Sequence, residues 1–419
     1  MLSQSKSYSR SLAILTALFF MWGLITSLND ILVPHLKALF SLSYLQASLI
    51  QFCFFFAYFV MSYPAGKIVS KSGYKKGIIL GLLIAALGCV LFWPAAGIRS
   101  YPLFLISLFI LASGLTLLQV SANPYVNSLG SPETAASRLN LTQAFNSLGT
   151  TIGPMIGGIF ILSATILTVD QLAALSPQAL QEYFHQEASS VQTPYLVLTG
   201  LLILIALVIT FCRLPVIAEE KKIDSKENEH SIFKYKHLIF AVAGIFAYVG
   251  AEVSIGSYLI NFMEHPDIAG LSPMDASKHL SIYWGGAMIG RFVGSYIMTK
   301  IKPNKLLTFN AIVIVLLLCS AMLIQGHWGM WAVLAIGLFN SIMFPTIFSL
   351  GLNKLGAQTG RASGLLCMGI VGGAIVPMIQ ATIADSHTLL ISFIVPVVCY
   401  IYISWFGMHG YKPERAKHI

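Results

Sequence analysis

Pro124-Tyr125-Val126-Asn127-Ser128-Leu129-Gly130 and Pro345-Thr346-Ile347-Phe348-Ser349-Leu350-Gly351 share the pattern Pro-x-x-x-Ser-Leu-Gly, 221 residues apart. A second pair accompanies the first. Arg138 stands 16 residues before Pro154-Met155-Ile156, and Arg361 stands 16 before Pro377-Met378-Ile379. Two matches at nearly one offset mark the chain as two copies of one half-unit. Both halves are intensely apolar, which places the repeat in a membrane, where two-fold repeats are a common way to build transporters.

The whole composition agrees. The 419 residues are 56% hydrophobic and 10% charged, against about 25% charged in soluble domains. Cys53, Cys89, Cys212, Cys319, Cys367 and Cys399 lie singly in apolar runs, which reads as neither a disulfide framework nor a metal site. A spanning helix needs about 20 mostly apolar residues. Twelve runs qualify, at 12–39, 44–68, 76–96, 101–126, 137–162, 192–214, 237–262, 279–299, 304–325, 328–354, 360–384 and 388–408. The first run continues through Asn29-Asp30 to Leu39 without a small-residue cleavage site, so it reads as a retained helix.

The expected architecture is an all-α integral membrane protein of twelve transmembrane helices in two pseudo-symmetric six-helix bundles. Residues 1–214 form the N-terminal bundle, 215–236 a cytoplasmic linker with Glu219-Glu220-Lys221-Lys222, and 237–419 the C-terminal bundle. The segment 163–192 reads as an outward insert with a short surface helix around Leu172, Leu175, Leu180 and Tyr183. With the N-terminus inside, 21 of the 25 Lys and Arg fall on one side, leaving Lys37, Arg99 and Lys278 outside and Arg291 within a helix. The asymmetry predicts cytoplasmic termini. It also accounts for the net charge of +9 without a nucleic-acid partner.

A charge at the centre of a spanning helix costs about 2.5–3.5 kcal/mol even on the most lenient scale. Asp30, Glu252 and Arg291 stand deepest. The repeat offset relates Asp30 to Glu252 within one residue, and Gln119 to Asn340. Asn123 follows Gln119 by four residues, Tyr248 precedes Glu252 by four, and Phe344 follows Asn340 by four, so each pair shares a helix face. Amides pair with hydroxyls as donor and acceptor, and rings cover an apolar sugar face, so this set suits a neutral polyol. The plainer reading is that the amides glue helices together.

Arg291, in Gly286-x-x-x-Gly290-Arg291-x-x-Gly294, is expected to be structural, pairing with carbonyls or snorkelling. Gly149, Gly153 and Gly157 on the fifth run and Gly286, Gly290 and Gly294 on the eighth form small-xxx-small ladders. If the two stripes face each other across the halves, they let one half rock against the other. Ordinary packing within a half is the alternative.

The loop Gly66-Lys67-Ile68-Val69-Ser70-Lys71-Ser72-Gly73-Tyr74-Lys75-Lys76, with the helices and halves, resembles the major facilitator superfamily. That loop has an acid where this chain has Ser70. Five stretches resemble, more narrowly, the fucose-galactose-glucose proton symporter family. They are Phe20 to Asp30, Ser121 to Val126, Arg138 to Ser147, Val191 to Tyr195 and Phe344 to Gly351. The resemblance implies proton-coupled sugar uptake through a cavity between the halves, with the proton as coupling ion, in a bacterial inner membrane; a monomer with sugar and the lipid bilayer as partners is expected.

The same resemblance matches Asp30 to an acid implicated in proton coupling, and Gln143 and Asn146 to sugar contacts. Asn29 lies beside Asp30 and is expected among the sugar contacts. Gly66, Gly73, Lys75, Arg138 and Arg361 are expected in gating or structural roles. Members that take fucose carry a second acid on the fourth helix, where this chain has Gln119, whereas Glu252 supplies a carboxylate on the seventh. That departure leans toward the glucose/galactose branch. No cofactor and no catalytic residue are expected, for there is no HExxH spacing among the ten histidines. A facilitator or exporter on the same fold, or a sugar sensor without transport, stands as the alternative.

Overall fold

In the computed structural model, helices follow the apolar runs (the residues described are 2–40, 44–161, 171, 174–212, 214–215, 232–324 and 326–413). At 2–7, 28–40, 44–48, 154–161, 184, 187, 190 and 191 only the backbone is described. The N-terminal group holds α1 (Leu2–Phe40), α2 (Tyr44–Ser72), α3 (Tyr74–Gly97), α4 (Tyr101–Ser128), α5 (Ala135–Ile161) and α6 (Pro177–Phe211). The C-terminal group holds α7 (Lys236–Glu264), α8 (Pro273–Ile297) and α9 (Pro303–Ile324). It continues with the interrupted helices α10 (Gly326–Gly351), α11 (Gly356–Ser386) and α12 (Leu389–Gly410). Among the described residues there is no strand.

Among the described residues, ten helices are long and apolar enough to cross a membrane by length and composition. The runs at 137–162 and 279–299 form α5 and α8 but are not among the ten. Both carry their polarity on the face turned to the opposite half: Ser137, Asn140 and Ser147 on α5, Arg291 and Ser295 on α8. Large apolar side chains such as Leu87, Leu204, Leu316 and Met378 point outward, a surface that water would not tolerate at this extent and that lipid covers.

Helix starts follow local chemistry. Ser100, Ser176 and Ser272 each cap a helix, accepting from the backbone N–H of Leu103, Ala179 and Asp275 at 3.4, 3.3 and 3.2 Å, with proline in the first turn. The Ser176 cap corrects the expected outward insert. From Pro177 onward that segment is the beginning of α6, continuous to Phe211, while 162–170, 172 and 173 lie outside the described residues. One residue separates α2 from α3. Gly73 makes that reversal at φ +81°, a backbone region that a side chain disfavours. Most of the expected linker (216–231) also lies outside the described residues.

Within the N-terminal group α3 packs on α4 and α6, α1 on α5, and α2 on α4; within the C-terminal group α8 packs on α10, α7 on α11, and α9 on α10 and α12. Between the groups the pairs are α2 with α11, α5 with α8, α4 with α11 and α5 with α10. A shift of six helices turns each of these pairs into another, as a two-fold repeat requires.

The two glycine ladders do not meet. A Cβ at Gly149 would strike the backbone of Phe20 and Leu24, and one at Gly153 would strike Ser27, all on α1. On α8, Gly286 and Gly290 lie against Leu338 of α10, and Gly294 against Ile342. Both stripes therefore serve mainly close packing inside a half, each helix turning its smallest face to its tightest neighbour, while a Cβ at Gly294, the end of its ladder, would also lie 3.4 Å from Asn140 Nδ2 of α5 in the other half. Gly157 lies outside the described side chains. The glycine crossing between halves is at α2 and α11: a Cβ on Gly364 would lie 3.1 Å from Gly66 Cα, and one on Gly66 3.1 Å from Gly360 O.

The α3–α4 crossing is reciprocal. A Cβ at Gly81 would sit 2.9 Å from Gly114 O, and one at Gly114 would be 2.7 Å from Gly81 O. We expect Gly114→Leu to force these backbones apart at a cost of about 1–3 kcal/mol or more, read as a lowered melting temperature of the detergent-solubilised protein.

Candidate functional site

A cavity of about 230 Å3 lies between the two groups of helices, below the ~300–1,000 Å3 of drug-sized sites. From the N-terminal group it is lined by Trp22 and Thr26 of α1, Phe54 and Tyr58 of α2, Gln119 of α4, and Gln143 and Asn146 of α5. From the C-terminal group come Tyr248, Val249 and Glu252 of α7, Arg291 of α8, Phe344 and Pro345 of α10, and Ile370 of α11. Amides and rings thus meet around one acid and one base.

The acid and base are organised. Tyr248 Oη donates to Glu252 Oε1 at 2.7 Å, the four-residue spacing putting both on one face of α7. Arg291 Nη2 stands 4.0 Å from the same oxygen, with the two side chains 17% and 16% exposed. Its Nε donates to Ser341 O at 3.1 Å, and its Nη1 donates to Ser147 Oγ of α5, in the other half. Arg291 does pair with a carbonyl, and it also lines the cavity and bridges the two halves. A guanidinium suits this place because its fixed fork supplies several donors at once.

The amides divide. Gln119 is 8% exposed and reaches the cavity, while Asn123, one turn further, is fully buried and accepts from Gln143 Nε2 at 3.5 Å. Asn146 lines the cavity and also donates to Phe19 O at 2.9 Å. Asn340 stands away from the cavity: its Nδ2 donates to Tyr283 Oη at 2.9 Å, and Tyr400 Oη donates to its Oδ1 at 2.6 Å. At the repeat offset Gln119 matches Asn340 and Asn123 matches Phe344, yet it is Gln119 and Phe344 that face the cavity. The turn at 341–342 interrupts α10, whereas α4 runs unbroken, so the equivalent positions present different faces. The side chains of Asn29 and Asp30 lie outside the described residues.

The remaining expected positions are structural in their contacts. Arg138 ties the α4–α5 connection, donating to Ser131 O at 2.9 Å, Asn127 O at 2.9 Å and Thr134 Oγ1 at 2.5 Å. Lys75 Nζ donates to Thr210 O at 2.8 Å and Cys212 O at 2.9 Å, closing the end of α6, where a cation complements the helix dipole. Arg361 begins α11 beside Gly66, its Cα 3.3 Å from where a Cβ on that glycine would lie. Sequence reasoning missed Trp22, Thr26, Phe54, Tyr58, Val249, Pro345 and Ile370 as cavity residues. Trp22, Thr26 and Pro345 lie in stretches that carry the family resemblance, whereas Phe54, Tyr58, Val249 and Ile370 look like any lipid-facing or core residue and no signal marks them.

The chain matches the Major Facilitator Superfamily model over residues 14–377. It is 52% identical over 410 residues to the glucose/galactose transporter of Brucella abortus, covering 98% of this chain and 96% of that one. With the L-fucose-proton symporter of Escherichia coli it shares 38% identity over 411 residues, 96% of this chain and 94% of the other. The crystal structure of FucP, a major facilitator superfamily transporter, in the outward conformation superposes with a TM-score of 0.90 at 37% identity, over 96% of this chain and 99% of that one. The chain belongs to the major facilitator superfamily, in the branch that includes these sugar transporters.

Proposed function

We propose that the chain imports a neutral hexose together with a proton, by alternating access of the cavity between its halves. The observation that carries this reading is the cavity itself: Gln119, Gln143 and Asn146 offer donors and acceptors to hydroxyls, and Trp22, Phe54, Tyr58 and Phe344 offer ring surfaces, around Glu252 and Arg291. The names of its relatives, glucose/galactose transporter and L-fucose-proton symporter, support the same class. Within this reading the chain crosses the inner membrane twelve times as a monomer, with both termini in the cytoplasm, two six-helix bundles at 1–214 and 237–419, a linker at 215–236, no cofactor beyond the proton and no catalytic activity.

Coupling follows from the cost of buried charge. A proton arriving from outside neutralises Glu252 or Asp30, removing a charge that would otherwise have to cross a low-dielectric barrier as the halves reorient. Arg291 keeps its bonds to Ser341 and Ser147 while its counter-ion is lost, so a guanidinium N–H turns toward the cavity and a sugar hydroxyl. Sugar and then proton leave inside, and the empty carrier returns. A proton falling through 100 mV releases about 2.3 kcal/mol, and one pH unit adds about 1.4 kcal/mol. Together these sustain roughly 500-fold accumulation at one-to-one coupling.

Uptake of labelled glucose, galactose, fucose, mannose and N-acetylglucosamine into proteoliposomes, with and without an inward proton gradient, tests the class. Accumulation of one sugar under the gradient is the expected result. Uptake that only equilibrates would make the chain a facilitator, and no uptake of any sugar would favour an exporter or a sensor. The Glu252→Gln variant is expected to lose accumulation while retaining sugar exchange between the two sides. Were both Asp30→Asn and Glu252→Gln to keep pH-dependent uphill uptake, the coupling scheme would fail. Gln143→Ala removes one hydrogen bond to a hydroxyl, worth about 0.5–1.5 kcal/mol, and is expected to raise KM roughly 2- to 12-fold at little change in kcat.

A further inference from the structure

The two oxygens of the Glu252 carboxyl are held differently. Oε1 carries both contacts, the hydroxyl of Tyr248 at 2.7 Å and Arg291 Nη2 at 4.0 Å. Oε2 is bonded to none of the described residues, and it is not one of the buried unpaired atoms either. In a side chain that lines the cavity, it is therefore the oxygen open to it.

Tyr248 is placed to keep that orientation. It is 1% exposed, so although it borders the cavity little of it can touch a cargo. Its hydroxyl has a single hydrogen, which goes to Oε1. The backbone beneath it is fixed as well. A Cβ at Gly250 would lie 3.0 Å from Gly372 O, and one at Gly372 would strike Phe246 O, so α7 touches α11 backbone to backbone on either side of residue 248. Arg291 and Tyr283 of α8 and Tyr400 of α12 act on the carboxyl electrostatically, while α10 and α11 bring Phe344 and Ile370 to the cavity beside it. Among the described residues, Tyr248 alone gives it a hydrogen bond.

We infer that Glu252 Oε2 is the atom that takes the transported proton, and that Tyr248, grouped by spacing with the sugar contacts, is the positioning residue that presents this oxygen to the cavity. The O–H bond forms at Oε2 with a proton from cavity water, and the carboxylate becomes a neutral carboxyl. Oε1, then the carbonyl oxygen, still accepts from Tyr248, so the orientation survives the change of charge. The same O–H bond breaks when the proton leaves to water on the inner side.

The inference rests on the transport reading, and the test separates the two. In proteoliposomes of fixed internal pH, the external pH of half-maximal sugar uptake is measured for the unmodified protein, Tyr248→Phe and Tyr402→Phe. A hydroxyl bonds a charged carboxylate more strongly than a neutral acid, so its loss favours the protonated form. Tyr248→Phe should therefore move the midpoint up by about 0.4–1 pH unit, with KM at acidic external pH within about twofold. Tyr402→Phe removes a hydroxyl that donates to Phe240 O, on α7 but far along it from Glu252, at 3.0 Å, and should leave the midpoint in place. An unmoved midpoint in Tyr248→Phe, or a KM raised at every pH, would make Tyr248 a cargo contact and overturn the inference. An equal shift in Tyr402→Phe would overturn it too, by marking a general loosening of α7. Infrared difference spectra give a second measurement that needs no Tyr248 variant. A protonated-carboxyl band should titrate with the uptake midpoint and be missing in Glu252→Gln; its persistence there would put the proton on another group. No uptake of any sugar by the unmodified protein would sink the transport reading, and this inference with it.

Discussion

Two halves that must separate on every cycle cannot be joined the way a core is joined. The contacts between them show the consequence. At α2 and α11 backbones approach at Gly66, Gly360 and Gly364, and at α5 and α8 they are held by Ser137 and Ser295. Glycine and serine give close approach and replaceable hydrogen bonds, alongside apolar contacts across the plane such as Phe145 edge-on to Phe292 at 5.5 Å and Ala136 against Met298 and Ile342, where burial contributes about 25 cal/mol per Å2 of apolar surface. The apolar payload is placed inside each half, in pairs such as Phe92 stacked on Tyr195 at 4.0 Å and Phe262 against Phe393 at 5.0 Å.

The cavity inherits its chemistry from that plane. Because both halves turn their polar faces inward, amides of α4 and α5 stand opposite Glu252 and Arg291. Arg291 is one point where the two halves meet, holding Ser341 within its own half, Ser147 across the plane, and Glu252 at 4.0 Å. One guanidinium thus senses both the charge of the acid and the separation of the halves. The Asn340, Tyr283 and Tyr400 cluster does the opposite service. It spends its polarity wholly inside the C-terminal half, tying α8, α10 and α12 together, where interhelical hydrogen bonds replace hydrophobic driving force.

Much of this was legible in the residues themselves. Apolar runs and repeat offset determined the helices and the two-fold plan, because length and hydropathy alone decide what a bilayer accepts. Buried ionisable groups such as Glu252 and Arg291 stood out for the same reason; Gln119, Tyr248 and Phe344, singled out by spacing, and Gln143 and Asn146, singled out by the family resemblance, all line the cavity. What spacing could not decide was facing. Spacing left the glycine ladders of α5 and α8 open as either a sliding surface between halves or packing within a half, and they pack chiefly on α1 and α10. Asn340, equivalent by repeat to Gln119, turned into a helix core because α10 is broken after it. A one-dimensional period names the residues that share a stripe, and only the packing of neighbouring helices decides whether that stripe meets its own half, the other half or the cavity.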